Sequence, residues 1–126
     1  MPLNLSTARV FVRNLAEAQH YYGAVLGLPL QAGGSEYDFC VFAAGNTQLV
    51  VEPVPSEAPE DEQALVGRFT GLSFSVTSVE AKYNELRSLG VHFTGKPEVQ
   101  SWGGVLATFR DPAGNELQLV QAPSAP

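Results

Sequence analysis

The chain carries the same succession of structural signals twice, and this internal duplication constrains its fold more than any other feature. In each half, a strand-like alternation ends two residues before a helix N-cap residue, and the helix that follows ends at a glycine. Val12 and Asn14 in the first half correspond to Val76 and Ser78 in the second, at a constant offset of 64 positions. Three strand-like runs follow each helix, so each half is predicted to be a βαβββ module.

The bounds of the predicted elements come from apolar alternation and from glycine and asparagine at turns. In the first module, a strand at residues 5–12 and a helix at 15–26 precede strands at 30–32, 37–43 and 48–54, with turns at Gly33–Gly34 and Gly45–Asn46. In the second module, a strand at 71–76 and a helix at 79–89 precede strands near 92–93 and at 104–109 and 116–120. The predicted domain bounds are 1–54 for the first module, 55–69 for a Pro- and Glu-rich linker, and 70–126 for the second module with a short C-terminal tail.

The fold class follows from the module. A βαβββ unit buries one face of its sheet under its helix and leaves the other face open. Two such units side by side enclose a cavity with their open faces. The predicted fold is therefore α+β: two tandem βαβββ modules in one structural domain form a curved eight-stranded mixed sheet around a cavity, with the helices on the outer face.

Composition excludes several classes of function. Only 7 Lys and Arg stand against 13 Asp and Glu, a net charge of -6, which excludes a nucleic-acid-binding role. No apolar run approaches the roughly 20 residues of a membrane span, and the first residues lack the pattern of a secretory signal, so a cytoplasmic location is expected. The single cysteine, Cys40, lies in an apolar run and is predicted to be a buried packing residue.

Three sequence segments resemble the vicinal-oxygen-chelate superfamily, which includes glyoxalase I, the extradiol dioxygenases and the bleomycin-resistance proteins. They are Val-Arg-Asn-Leu at residues 12–15, Tyr-Tyr-Gly-Ala-Val-Leu-Gly-Leu at 21–28, and the hairpin Phe-Arg-Asp-Pro-Ala-Gly-Asn-Glu-Leu-Gln-Leu at 109–119. The resemblance implies the fold just described and a cavity for a small molecule, which family members commonly complete by forming a dimer.

The resemblance also implies where a metal would bind. Metal-dependent relatives hold one divalent ion through four cavity-facing side chains, usually His, Glu or Gln, His and Glu. Three of these positions fall on Thr7, Gly71 and Gln118, and the fourth falls either on Leu49 or on the opposite face of its strand, with Gln48, Val50 and Glu52. A glycine and a threonine hydroxyl are poor donors, so we predict no metal and no cofactor. His20 and His92 are predicted to be surface or packing residues.

The candidate ligand-binding residues are those that strand alternation directs into the cavity, together with one tryptophan. They are Thr7, Arg9, Phe11, Glu52, Ser73, Trp102, Glu116 and Gln118. Arg9 either pairs with Glu52 or Glu116 across the sheet or grips a ligand carboxylate. Trp102 lies in a Ser-Trp-Gly segment similar to one that precedes the seventh strand of bleomycin-resistance-like proteins, where aromatic rings stack on flat ligands.

The predicted function is that of a metal-free small-molecule-binding protein of the glyoxalase/bleomycin-resistance type. It would sequester an antibiotic-like or aromatic metabolite ligand in the sheet cavity, as a homodimer, without nucleic-acid or membrane partners. The alternative is an enzyme of the same superfamily. This would be a lyase, isomerase or dioxygenase that uses a shifted metal site, or a metal-free reaction with Glu52 or Glu116 as general base. A module that acts only through protein partners is a third possibility.

Overall fold

The computed structural model describes residues 2–124, which divide into two compact units. The first unit ends at Arg68 and the second begins at Phe69. The first unit has the βαβββ strand order of a single module, and the second has the same order with one additional short strand, which confirms the predicted α+β class. No helix in residues 2–124 combines the length and the apolar composition that crossing a membrane requires.

The first unit is a four-stranded mixed sheet with one helix on one face. Its elements are β1 (Thr7–Val12), α1 (Leu15–His20) with a π-helical turn (Tyr21–Val25), β2 (Leu30–Gly34), β3 (Phe39–Ala44), β4 (Thr47–Pro53) and α2 (Glu60–Gln63). The strand order is β1-β4-β3-β2, and β1 runs parallel to β4 while the other pairs are antiparallel.

The first helix begins and ends where its capping residues predict. Asn14 Oδ1 accepts a hydrogen bond from the backbone N–H of Glu17 at 2.9 Å. At the other end the backbone N–H of Leu26 donates to the carbonyl of Tyr21, and Gly27 follows with a φ of 80°. That last bond spans five residues, so the final turn is a π turn, which single-residue propensities do not signal.

The second unit is a five-stranded mixed sheet built on the same plan. Its elements are β5 (Phe69–Ser75), α3 (Val79–Ser88), β6 (His92–Phe93), β7 (Glu98–Val99), β8 (Val105–Arg110) and β9 (Glu116–Gln121). The strand order is β5-β9-β8-β6, with β7 also paired to β8. Ser78 Oγ accepts a hydrogen bond from the backbone N–H of Ala81 at 3.1 Å, as predicted for the N-cap of α3.

Two details of the sequence prediction were wrong. Residues 2–124 form nine strands in two sheets instead of the predicted eight-stranded sheet. The ninth strand, β7, is only two residues long and was missed. Gly33 and Gly34 are not a turn: they end β2, pair with Cys40 and Phe39, and are followed by the turn at residues 35–38. Glycine is needed at 33 because a Cβ there would overlap the Phe39 carbonyl oxygen.

Each sheet has a helix-covered face and an opposite face that we call the open face. Val10, Val51 and Leu49 are buried on the covered face of the first sheet, and Phe109 and Leu117 on that of the second. The first open face carries Thr7, Arg9, Phe11, Gln48, Val50 and Glu52, and the second carries Gly71, Ser73, Leu106, Thr108, Glu116 and Gln118. The alternation of covered and open positions predicted for β1, β5 and β9 is confirmed.

Cys40 is fully buried on the covered face of β3, as predicted. Burial raises the pKa of its thiol, and a backbone hydrogen bond from Gly34 opposes the shift. A buried neutral thiol is a packing group and not a nucleophile.

The turn at residues 111–115 is a closed hydrogen-bonded unit. Asp111 Oδ1 accepts from the backbone N–H groups of Ala113 and Asn115, both at 2.9 Å, and Oδ2 accepts from Asn115 Nδ2 at 3.0 Å. Both polar side chains are buried, Asp111 at 5% and Asn115 at 0% exposure. The Asp-Pro-Ala-Gly-Asn motif is therefore the internal support of the β8–β9 hairpin and sets its register.

Candidate binding site

A row of neutral polar side chains crosses the second open face from strand to strand. Ser73 pairs in register with Gln118, and Gln118 pairs with Thr108. Gln118 Nε2 donates to Thr108 Oγ1 at 3.2 Å, and Ser73 Oγ lies 3.5 Å from Gln118 Oε1, at the long end of the hydrogen-bond range. An amide flanked by two hydroxyls can both donate to and accept from an organic ligand.

A cavity of about 210 Å³ adjoins this row. Leu106, Thr108 and Gln118 form its floor, and residues 94–100 supply much of its wall. Ligand pockets usually measure roughly 300–1,000 Å³, so this cavity alone holds a small group or one end of a larger molecule. Of the predicted site residues, Gln118 lines this cavity. Thr108 was missed, although counting back from the turn at residues 111–115 places it opposite Gln118.

The carboxylates on the open faces are both engaged by arginines. Arg110 donates through Nε and Nη2 to one oxygen of Glu116, each at 3.1 Å. Arg9 donates to Glu52 at 2.7 Å, one of the two pairings that the sequence left open. The Arg9 and Glu52 side chains are 57% and 31% exposed, so their ion pair adds about 1 kcal/mol at most to stability. A ligand carboxylate would have to compete with Glu52 for Arg9.

The remaining predicted site residues are spread over separate elements. Thr7 and Phe11 are half-buried on the first open face, where Thr7 Oγ1 lies 3.2 Å from Ser6 Oγ. Trp102 is about half exposed in the turn before β8, and its indole lies against Gly104, where a Cβ would overlap the ring. Trp102 is not among the residues that line the 210 Å³ cavity. His20 and His92 are both exposed.

The strand registers decide which fourth-strand residue faces the metal position. Leu49, 2% exposed, lies on the covered face, so the open face presents Gln48, Val50 and Glu52. In the first unit Arg9 pairs with Val50, and in the second unit Ser73, which is the counterpart of Arg9 in the repeat, pairs with Gln118. Val50 is therefore the counterpart of Gln118, and it contributes only hydrocarbon.

The residues at the implied ligand positions do not fit a metal ion. They are Thr7, Val50, Gly71 and Gln118, which together offer one hydroxyl and one amide, with no imidazole, thiolate or carboxylate. Zinc and its neighbours are held in proteins by three or four imidazole, thiolate or carboxylate ligands. Among residues 2–124, no group of three His, Cys, Asp or Glu side chains lies close enough to hold one elsewhere.

The backbone at Gly71 also disfavours a ligand side chain. Gly71 has a φ of 75° and lies where the β5–β9 register shifts between Phe69 and Ser73. Thr70 Oγ1 holds this bulge: it donates to the Glu116 carbonyl at 2.8 Å and accepts from the Leu72 N–H at 3.1 Å. A histidine at this position would require a left-handed conformation.

We expect Gly71→Ala to lower the free energy of unfolding by about 1–2 kcal/mol, because a Cβ is strained at this φ while the surrounding space is open. Chemical denaturation followed by circular dichroism measures the change. Gly95→Ala is the matched control, since Gly95 is in the same unit, has no positive φ and has no atom near its Cβ position. Equal effects at the two glycines would contradict the strained bulge.

Comparison with known proteins assigns the chain to the family that its sequence motifs resemble. A sequence profile of the Glyoxalase/Bleomycin resistance protein/Dioxygenase superfamily matches residues 4–119, and the chain belongs to that superfamily. The uncharacterized protein YraH of Bacillus subtilis (strain 168) is 27% identical over 126 residues, which cover 94% of this chain and 98% of YraH.

Two solved structures share this architecture, at sequence identities close to that of YraH. One is a member of the superfamily from Sphaerobacter thermophilus DSM 20745, with 26% identity and a TM-score of 0.78 over 97% of this chain and 99% of that chain. The other is TnmS3, an antibiotic binding protein from Streptomyces sp. CB03234, with 28% identity and a TM-score of 0.74 over 98% of both chains.

Proposed function

We propose that this protein binds a small organic molecule without a metal ion and sequesters it at the open faces of its sheets. The observation that carries the proposal is the donor set at the four metal positions, where Thr7, Val50 and Gly71 offer almost no coordinating capacity. The polar row of Ser73, Gln118 and Thr108 occupies one of those positions with groups suited to organic hydrogen-bond partners.

The proposed ligand is an antibiotic-like or aromatic metabolite molecule. TnmS3, which matches nearly the whole chain, binds an antibiotic, and this likeness supports the same class of ligand here. The proposed contacts are the polar row, the ring of Phe11, the ion pairs of Arg9 with Glu52 and Arg110 with Glu116, Thr7, and the exposed indole of Trp102. Aromatic stacking adds about 0.5–1.5 kcal/mol per ring pair.

Binding is favoured over the enzymatic alternative by the state of the carboxylates. A general base must be able to reach a substrate proton. Glu52 and Glu116 are each held by an arginine, so neither carboxylate is free to take a proton from a substrate without losing that ion pair. We also propose that the protein is a cytoplasmic homodimer. Because β1 and β5 stand at the ends of their sheets, a second chain can pair along such an edge.

Untagged protein purified without chelator tests these proposals in one set of measurements. Elemental analysis should find far less than one equivalent of zinc, iron, nickel or manganese per chain. Light scattering should give twice the chain mass of 13.5 kDa. A thermal-shift panel of aromatic antibiotics should contain compounds that raise the melting temperature in a concentration-dependent way. One equivalent of tightly held metal would support the enzymatic alternative, and a panel without any stabilising compound would remove the support for sequestration.

A further inference from the structure

A second and larger groove lies on the helix-covered side of the second sheet. It measures about 650 Å³, within the size range of small-molecule pockets. Tyr83, Asn84 and Arg87 of α3 form one wall, and Lys96, Val99 and Val105 lie among the residues opposite. Val105 is on the covered face of β8, whereas the cavity of the candidate site lies on the open face. The sheet therefore separates the two sites, and of residues 2–124 only Lys96, between β6 and β7, lines both.

Two cations, Arg87 and Lys96, line this groove. Arg9, Lys82 and Arg110 each form an ion pair with a carboxylate. In the described part of the chain Arg87 and Lys96 form none, and the Arg87 guanidinium instead lies 5.2 Å from the centroid of the Tyr83 ring. The chain has only 7 basic residues against 13 acidic ones, and two of these seven lie on this one groove. They leave a site with charge available for an anion.

Comparing the two modules shows which features of this groove come from the repeated fold and which belong to the second unit alone. The first unit has a groove of about 530 Å³ beside its own helix. Four of its five helical lining residues are each 64 positions before a helical lining residue of the second groove; the pairs are Ala16 and Glu80, Gln19 and Tyr83, His20 and Asn84, and Gly23 and Arg87. The space therefore recurs with the module. None of the described residues that line the first groove is Lys or Arg, so the cations are specific to the second groove.

We propose that the groove between α3 and β7–β8 is a second ligand site that binds a small organic anion. The carboxylate or phosphate group lies between Arg87 and Lys96, and the apolar body packs against Val99 and Val105. Glu80 lies two helical turns from Arg87, about 10 Å along α3, and repels a second anionic group at that end. The ligand is therefore a molecule with one anionic end, bound independently of the open faces.

Amide chemical-shift titration of the ¹⁵N-labelled protein tests the site directly. The probes are sodium benzoate, phenyl phosphate and inorganic phosphate. We expect saturable shifts at Asn84, Arg87 and Val99 with at least one aromatic anion, and no saturable shift at Thr108 or Gln118. Benzoate and phenyl phosphate distinguish a carboxylate from a phosphate preference, and inorganic phosphate shows whether the apolar body is needed. Absence of saturable shifts along α3 with all three probes overturns the proposal.

Charge-removal variants then assign the shifts to the groove. Arg87→Met replaces the guanidinium with an uncharged side chain and should weaken binding at least about tenfold. Lys96→Met, at an exposed position, should have an effect of similar size. Lys82→Met is the matched control: it removes the same charge from the same helix, outside the groove, and should change affinity by less than about twofold. Equal weakening in the Lys82 control would show attraction by general charge and overturn the proposed site.

Discussion

Asn115→Ala should lower the free energy of unfolding by about 2–4 kcal/mol. The substitution removes the amide that donates to Asp111 Oδ2 in a turn where both side chains are buried. Hydrogen bonds to charged groups contribute about 1.5–3 kcal/mol, and a buried group that loses its partner adds its own desolvation penalty. No described buried side-chain nitrogen or oxygen lacks a hydrogen-bond partner in the native protein, so the variant introduces a defect that the wild type avoids.

Thermal unfolding monitored by circular dichroism measures this effect, with an expected decrease in melting temperature of roughly 6–20 °C. Asn46→Ala is the matched control. It removes the same side-chain amide from the turn between β3 and β4, where Asn46 is exposed. The control should change stability by about 0.5 kcal/mol or less. If the two variants lose equal stability, the buried Asp111–Asn115 contact is not what supports the hairpin.

The same turn explains why so much of the fold could be predicted from the sequence. Asn14 and Ser78 at the helix starts, Gly27 and Gly90 at the helix ends, and the motif at residues 111–115 all act through local hydrogen bonds or backbone conformation. Local signals of this kind can be seen in a single sequence.

The elements that were missed depend on contacts between distant residues. β7 is two residues long and forms only because Glu98 and Val99 pair with Leu106 and Val105. Gly33 looked like a turn residue because its role, a close approach to Phe39 of the next strand, cannot be seen before β2 and β3 are paired. The division of the strands into two sheets is likewise a matter of pairing and not of local propensity.

The candidate site could be predicted by face but not by partner. Alternation along β1 and β9 correctly placed Arg9, Glu116 and Gln118 on open faces. It could not show that Glu116 pairs with Arg110 while Arg9 pairs with Glu52, because side-chain pairing depends on strand register and rotamers. The fourth-strand position stayed open for the same reason, until the β1–β4 register identified Val50.

For a compound that the thermal-shift panel identifies, Gln118→Leu should weaken binding by roughly tenfold to hundredfold. The leucine keeps the volume of the side chain but removes its amide. Thr108 and the ligand therefore each lose a hydrogen-bond partner at a partly buried position. Leaving such a group without a partner costs about 1–3 kcal/mol, and each 1.4 kcal/mol corresponds to about tenfold in affinity. Isothermal titration calorimetry of both proteins measures the change, and Thr108→Val alone and with Gln118→Leu shows whether the two residues act together.

Gln118→Glu distinguishes a protein that needs no metal from one that has lost a single ligand. This variant restores the carboxylate found in metal-dependent relatives at almost unchanged size. We expect it to retain no metal after incubation with zinc, nickel, iron or manganese and desalting, because Thr7, Val50 and Gly71 still supply no strong donor. It should also bind the selected compound more weakly, since a carboxylate cannot donate the hydrogen bond that Gln118 Nε2 makes. Stoichiometric metal in this variant would instead mean that one substitution separates the protein from a metal-dependent site, and that the open face retains coordinating capacity that its side chains do not reveal.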